Sequence, residues 1–382
     1  MRSSTSSSDA RLTPRYTPGS DATASVTWVD APPVPERPVP ALRYGVVTAV
    51  ALACFVLALS AWEGAWRMYG APRDATNGPG LWAAQRRRID AGEGDATVLV
   101  GASRTLSNVQ LDVWERLDGR RPIQLAIEGT SPMTAVEGLA DDPHFTGRLI
   151  VGVTPGIFFS GFEFRGGTFS YHRRQTPSQR AGEWLSRHLV EPAFAFVEPD
   201  FALFSVLERQ PWPQRPGREF RRLPPKLFVI GPDRNARMWD KVERDSSYRA
   251  LVTGIWARSL RRPSPRPGSA EHRDRLARRE RQIARAAAAV AKLRARGVEV
   301  VFVRHPSGGP FLAHEQASEP RAETWDVLLA RTGARGLHFE DHPELQGYRI
   351  PEWSHLAADE ADRYTAALYS LVGPRRPATA AR

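Results

Sequence analysis

A charge-free run of nineteen residues, Tyr44 to Trp62 (YGVVTAVALACFVLALSAW), sets the first limit on what this chain can fold into. As a helix rising about 1.5 Å per residue it measures about 28 Å, close to the hydrocarbon thickness of a bilayer. Tyr44 stands at one end and Trp62, Trp66 and Tyr69 at the other, where amphipathic rings favour the interface. A buried core helix of this length rarely lacks any polar face. A cleaved leader fits poorly too, because its charged segment would exceed forty residues and its apolar run is too long. The sequence therefore predicts an uncleaved single-span anchor over 44–62. Arg37 and Arg43 on one side are matched by Arg67 and Arg73 on the other, so flanking charge gives no orientation.

The serines of 3–8 and the prolines between Pro32 and Pro40 cannot build a core, and the sequence predicts a disordered tail over 1–43, with another over 374–382. Residues 63–95 read as a linker or helical stalk. About 300 residues remain for soluble structure, ample for a well-buried core. The net charge of +11 invites a nucleic-acid partner, but 50 of the 53 basic residues are arginines spread along the chain. That skew, with abundant Ala, Gly and Pro, is the mark of GC-rich coding, and no nucleic-acid-binding motif accompanies it. The single cysteine, Cys54, lies inside the apolar run. The soluble part has neither a disulfide nor a thiolate metal site.

From Ala96 the pattern alternates strand and helix. Thr97–Val100 is a short strand buried on both faces, ending at Gly101. A helix carrying Val109, Val113, Trp114 and Leu117 follows, then a strand over Ile123–Ile127, a helix over Pro132–Leu139 and a strand over Arg148–Val153. An insertion rich in Pro, Arg and Trp occupies 158–267, with helical pieces over 179–188, 200–209 and 236–260. Its Trp184, Trp212, Trp239 and Trp256 read mainly as core, with one or two available for stacking on sugar rings. The rhythm resumes with a helix over 270–296, striped by Leu276, Ile283, Val290 and Leu293, then a strand over Val298–Val303, a weaker one over Leu337–Phe339 and a closing helix over Leu356–Leu371. The blocks 96–157 and 268–373 thus form one α/β domain interrupted by the insertion. Such alternation predicts a parallel sheet covered on both faces, with chemistry beyond the carboxyl ends of its strands.

Two of those ends carry complementary groups. Val100-Gly101-Ala102-Ser103-Arg104 places a hydroxyl directly after the first strand, and a serine nucleophile needs a base. Pro351-Glu352-Trp353-Ser354-His355 supplies a histidine at the head of the closing helix, with Glu352 three residues earlier to fix its tautomer. These blocks, with Gly129 after the second strand, resemble the SGNH (GDSL-type) hydrolase superfamily. More narrowly, VLVGASR together with PEWSHLAADEADRYTAAL is similar to membrane-anchored SGNH proteins related to the alginate O-acetylation apparatus. The resemblance covers 97–156 and about 298–371. It implies a flavodoxin-like three-layer α/β/α fold, with Ser103 as nucleophile, His355 as general base, Glu352 in the family's aspartate position, and the N–H groups of Ser103 and Gly129 as oxyanion donors.

The chain departs from the family twice. Ala102 stands where the family has an aspartate, and Thr154-Pro155-Gly156 where it has an asparagine that donates to the oxyanion. The Gly156 N–H or Arg104 is available to replace that donor. Arg104 and Arg304 are possible substrate-binding groups, Arg304 otherwise being a solvated charge. His338, Asp341 and His342 lie across a strand end at a spacing unsuited to metal, and neither metal nor cofactor is expected. The resemblance implies an O-acyl esterase or O-acyltransferase on envelope carbohydrate, in the inner membrane with its domain facing the periplasm or the cell exterior. The alternative is a non-catalytic glycan-binding or assembly protein serving a partner membrane acyltransferase.

Overall fold

The computed structural model describes residues 43–210, 225–260 and 265–374, and the backbone of two short antiparallel strands, β1 (Leu12–Pro14) and β2 (Trp28–Asp30). The tails expected over 1–43 and 374–382 otherwise fall almost wholly outside the described residues, as does Trp212. The chain divides into two units, Met1–Leu59 and Ser60–Arg382. In the first begins a helix, Tyr44–Tyr69, which continues past the expected end at Trp62. Its mean hydropathy reaches 2.2 over an 18-residue window and none of that window is buried, so it is long and apolar enough to cross a membrane.

The second unit is built on a parallel sheet of β3 (Thr97–Val100), β4 (Ile123–Gln124), β5 (Arg148–Gly152), β8 (Glu299–Arg304) and β9 (Arg335–His338), in the order β4-β3-β5-β8-β9. Two-residue alternation sends Val98, Val100, Leu149, Val151 and Phe302 to one face, where the helices Met133–Ala140 and Ala270–Ala295 cover them with Val136, Ile283 and Val290. Leu99, Ile150, Val301 and Val303 point the other way, against Trp114, Tyr364 and Leu368 of the helices Leu111–Asp118 and Ala358–Val372. All-apolar strands are thus explained by helices on both faces.

Several boundaries shift. The strand expected over Ile123–Ile127 pairs as a ladder only at Ile123–Gln124. Its backbone nevertheless runs on beside β3, with the Leu125 and Ile127 N–H groups donating to the carbonyls of Leu99 and Gly101. The helix expected from Ala236 begins instead as a strand. Arg234, at φ 68°, turns β6 (Phe228–Ile230) back onto β7 (Ala236–Met238), and helices follow at Asp240–Arg244 and Ser246–Leu260. Leu276 is exposed, because Ala270–Ala295 buries nothing before Arg279. The later insertion is not a detached lobe. Phe228, Trp239, Val242, Tyr248 and Val252 share a core with Leu106 and Ala126, which adjoin the ends of β3 and β4.

Candidate active site

β4 and β5 lie on opposite sides of β3, so the crossovers diverge at the carboxyl end of β3, the position where open parallel sheets form a crevice. Ser103 occupies that position as the first residue of the helix Ser103–Asn108. The helix sits this close to the strands because Gly101 and Gly152 lack side chains. A Cβ on either would fall 2.0 or 1.7 Å from Thr105 Oγ1.

His355 reaches Ser103 from the other end of the sequence. Its Nε2 lies 2.8 Å from Ser103 Oγ, and its Nδ1 lies 2.7 Å from Glu352 Oε1. A carboxylate only accepts, so Nδ1 carries the proton and Nε2 presents its lone pair to the hydroxyl. Glu352 Oε1 also accepts the His355 backbone N–H at 2.6 Å. One carboxylate therefore folds its own turn and holds the ring. Glu352 and His355 are 0% and 2% exposed, whereas Ser103 is partly open to solvent. Phe228 of β6 packs edge-on against the imidazole, ring centres 4.9 Å apart. His355 precedes the closing helix, which starts at Ala358, rather than heading it. The turn carries Trp353 at φ 72°, a costly conformation for a bulky side chain. The Gly308 N–H holds its carbonyl at 2.9 Å, and Gly309 leaves room beneath its indole.

The remaining site residues fall in different places. The Ile127 N–H bonds the Gly101 carbonyl, and two residues further along each chain stand Gly129 and Ser103. Gly129, at φ 60°, leaves room for Phe164 of the insertion, whose Cβ a side chain there would meet at 3.3 Å. Gly156 lies in the short helix Pro155–Phe158 after β5. The two arginines are the clear surprise. Arg104 and Arg304 are 1% and 4% exposed and both bind Glu315, at 3.0 and 2.7 Å. Neither is a solvated charge, and the donors facing Glu315 are committed to a buried pair rather than to a substrate. Arg104 also reaches Ser354 Oγ at 3.3 Å, and Ser307 Oγ donates to Glu315 at 2.7 Å. Burial pushes the Glu315 carboxyl up, but the flanking Arg104 and Arg304 hold it below its ordinary value.

Sequence reasoning missed three further groups. Trp256, on the insertion helix Ser246–Leu260, donates its indole N–H to Glu352 Oε2 at 2.5 Å. Glu315 and Ser307 were invisible as partners of the arginines. His305, directly after β8, bridges Thr105 Oγ1 at 3.1 Å and the Tyr364 hydroxyl at 2.9 Å. Burial, reinforced by Arg104 and Arg304, drives its pKa down to about 3, so it stays neutral. Its signal was the Arg304-His305-Pro306 block at a strand end.

Of the other tryptophans, Trp239 is buried and Trp184 is 55% exposed. The residues weighed as metal ligands are not gathered: His338 packs between Trp325 and Phe339, and Asp341 pairs with Arg321. Among the described residues one cluster, Asp90, Asp142 and His144, brings three ligand-type side chains together, and Arg86 pairs with both aspartates. A cavity of about 40 Å³ lies beside the Arg304–Glu315 pair, between Val153, Phe159, Leu312 and Trp325. The arrangement can move a proton from a hydroxyl to a histidine in a partly open crevice. No family model and no curated protein matches the chain.

Proposed function

We propose that the protein is a membrane-anchored O-acyl esterase or O-acyltransferase acting on cell-envelope carbohydrate, with a flavodoxin-like three-layer domain of SGNH type on the periplasmic side of the inner membrane. The observation that carries the reading is the unbroken relay from Ser103 Oγ through His355 to Glu352, at 2.8 and 2.7 Å.

In the first half-reaction Ser103 Oγ bonds to the ester carbonyl carbon while its proton passes to His355 Nε2. The negative charge gathers on the carbonyl oxygen, where the N–H groups of Ser103 and Gly129 are the donors. Collapse breaks the bond to the alcohol, which leaves with the proton from His355. In the second half, His355 takes a proton from water or from a sugar hydroxyl, that oxygen displaces Ser103 from the acyl group, and His355 returns the proton to Ser103 Oγ. Glu352 holds the imidazole in one tautomer and stabilises the imidazolium formed in each half. Water gives an esterase and a sugar hydroxyl a transferase. An anchor that keeps the domain beside envelope acceptors favours transfer.

The test is a serine-reactive fluorophosphonate probe, followed by a chromogenic acetyl ester with and without envelope oligosaccharides, products being read by mass spectrometry. Ser103-dependent labelling with acetylated sugar supports transfer; acetate release without it supports hydrolysis. Absence of both would move the assignment to a non-catalytic partner of a membrane acyltransferase.

A further inference from the structure

We infer that the exposed apolar face of the insertion around Trp184, Leu189 and Phe204 rests in the headgroup layer of the bilayer that holds the anchor. The inference depends on the membrane-anchored reading and goes beyond it, since an anchor alone requires no second contact.

The helix Pro177–Leu185, the turn Ser186–Val190 and the helix Leu203–Glu208 bury no residue at all. They are nonetheless well formed. A reciprocal capping box between Thr176 and Gln179 starts the first of them. Trp184, Leu185, Leu189, Leu203 and Phe204 are 55, 48, 63, 50 and 80% exposed. So many large apolar side chains in water, on elements close in sequence, mark a surface that is covered.

What covers it follows from the segment between them. The Glu63 carboxylate accepts the backbone N–H of Ala195 at 2.8 Å and of Phe196 at 3.4 Å. The Trp62 indole donates to the Phe201 carbonyl at 3.3 Å, Arg67 donates to the Ala193 carbonyl, and Trp66 stacks on Phe201 with ring centres 4.7 Å apart. Trp62 is the last residue of the charge-free run. At about 1.5 Å per residue, Glu63 to Arg67 lie within about 8 Å of its end, and the headgroup layer is about 5–8 Å deep on each side. Residues 193–201 are therefore clamped at headgroup depth, and the exposed apolar residues adjoin them at both ends. Acidic residues outnumber arginines over 177–209, so the contact is apolar insertion rather than attraction to anionic lipid.

The experiment uses the full chain in phosphatidylcholine nanodiscs. With Cys54→Ser as background, Phe204→Cys or Leu189→Cys carries an environment-sensitive nitrobenzoxadiazole probe; both sites are exposed, so neither change disturbs packing. A Leu117→Cys probe on the helix Leu111–Asp118 serves as the solvent reference. Expected are blue-shifted emission at 204 and 189, about twofold quenching by lipids labelled near the headgroup, protection from aqueous iodide, and no change with added salt. Quenching by iodide alone would overturn the inference. Protection from both quenchers would also overturn it, because a second copy or another protein would then cover the face. Native Cys54, labelled in the same way, separates the two levels. Deep quenching there with solvent-exposed 204 and 189 removes only the docking; loss of deep quenching at Cys54 removes the anchor reading and the docking with it.

Discussion

Trp256 and Glu352, 96 positions apart, are joined by an indole N–H donated to the carboxylate oxygen that His355 leaves free. The insertion thereby reaches the acid of the relay. With both oxygens bound, Glu352 cannot swing its carboxylate away from the imidazole without breaking a second bond.

Trp256→Phe keeps the ring packing and removes only that donor. A hydrogen bond to a charged acceptor is worth about 1.5–3 kcal/mol. Part of that is lost to reorientation of the freed oxygen, so ester turnover falls about tenfold in kcat with KM little changed. Steady-state kinetics check it; an unchanged kcat would show that His355 holds Glu352 unaided.

Ser103→Ala removes a hydroxyl bonded to His355 Nε2. Probe labelling disappears and ester turnover drops by about a thousandfold or more, with stability within about 1 kcal/mol of the parent. Mass spectrometry of the labelled protein and a thermal melt read the two halves. Labelling that survives would place the nucleophile elsewhere.

The β/α alternation was legible because the central strands carry apolar runs, VLV in β3, LIV in β5 and VVFV in β8. The ends of β3 and the loop at 351–355 could be matched because parallel topology sends every strand end to one edge. What escaped the sequence is what depends on tertiary partners. Nothing in SSYRALVTGIWARSL distinguishes Trp256 from Val252 or Ile255 as a core residue, since its role is set by where β6 and β7 place that helix. β7 itself was read as helix because three residues are too few to show a period of two. Among 50 arginines, Arg104 and Arg304 carried no mark of burial. The mark was Glu315, 11 residues from Arg304 but 211 from Arg104.

Glu315 offers the sharpest stability test. It is 4% exposed and pairs with two buried guanidinium groups. Glu315→Ala leaves both charges uncompensated, and breaking a buried pair from one side costs about 3–5 kcal/mol. The expected result is a large fall in Tm. A triple Glu315→Leu, Arg104→Met, Arg304→Met replacement recovers much of the loss, because an apolar substitute for a buried ionic group is often near neutral. A single variant as stable as the parent would mean the arginines escape to solvent.

His305 makes the fold acid-sensitive. Its folded pKa is depressed from 6.5 to about 3 by burial first and by Arg104 and Arg304 second. Between those values the unfolded chain binds a proton that the native state refuses. Stability therefore rises with pH across this window, is fully present above about 6.5, and is lost as pH falls toward 3. One such histidine contributes a slope of up to about 1.4 kcal/mol per pH unit. His338 is depressed to about 3 by burial and by Arg304 and Arg321, and adds a second slope in the same direction. His305→Gln keeps a polar partner for Thr105 and Tyr364 but cannot titrate. Its stability at neutral pH should fall modestly, while its loss on acidification should be less steep than the parent's. Denaturant melts followed by tryptophan fluorescence at pH values from about 4 to about 7 give both slopes. Parallel curves for variant and parent would mean that acid opens the Thr105–His305–Tyr364 layer before the chain unfolds, so that His305 titrates in water in both states.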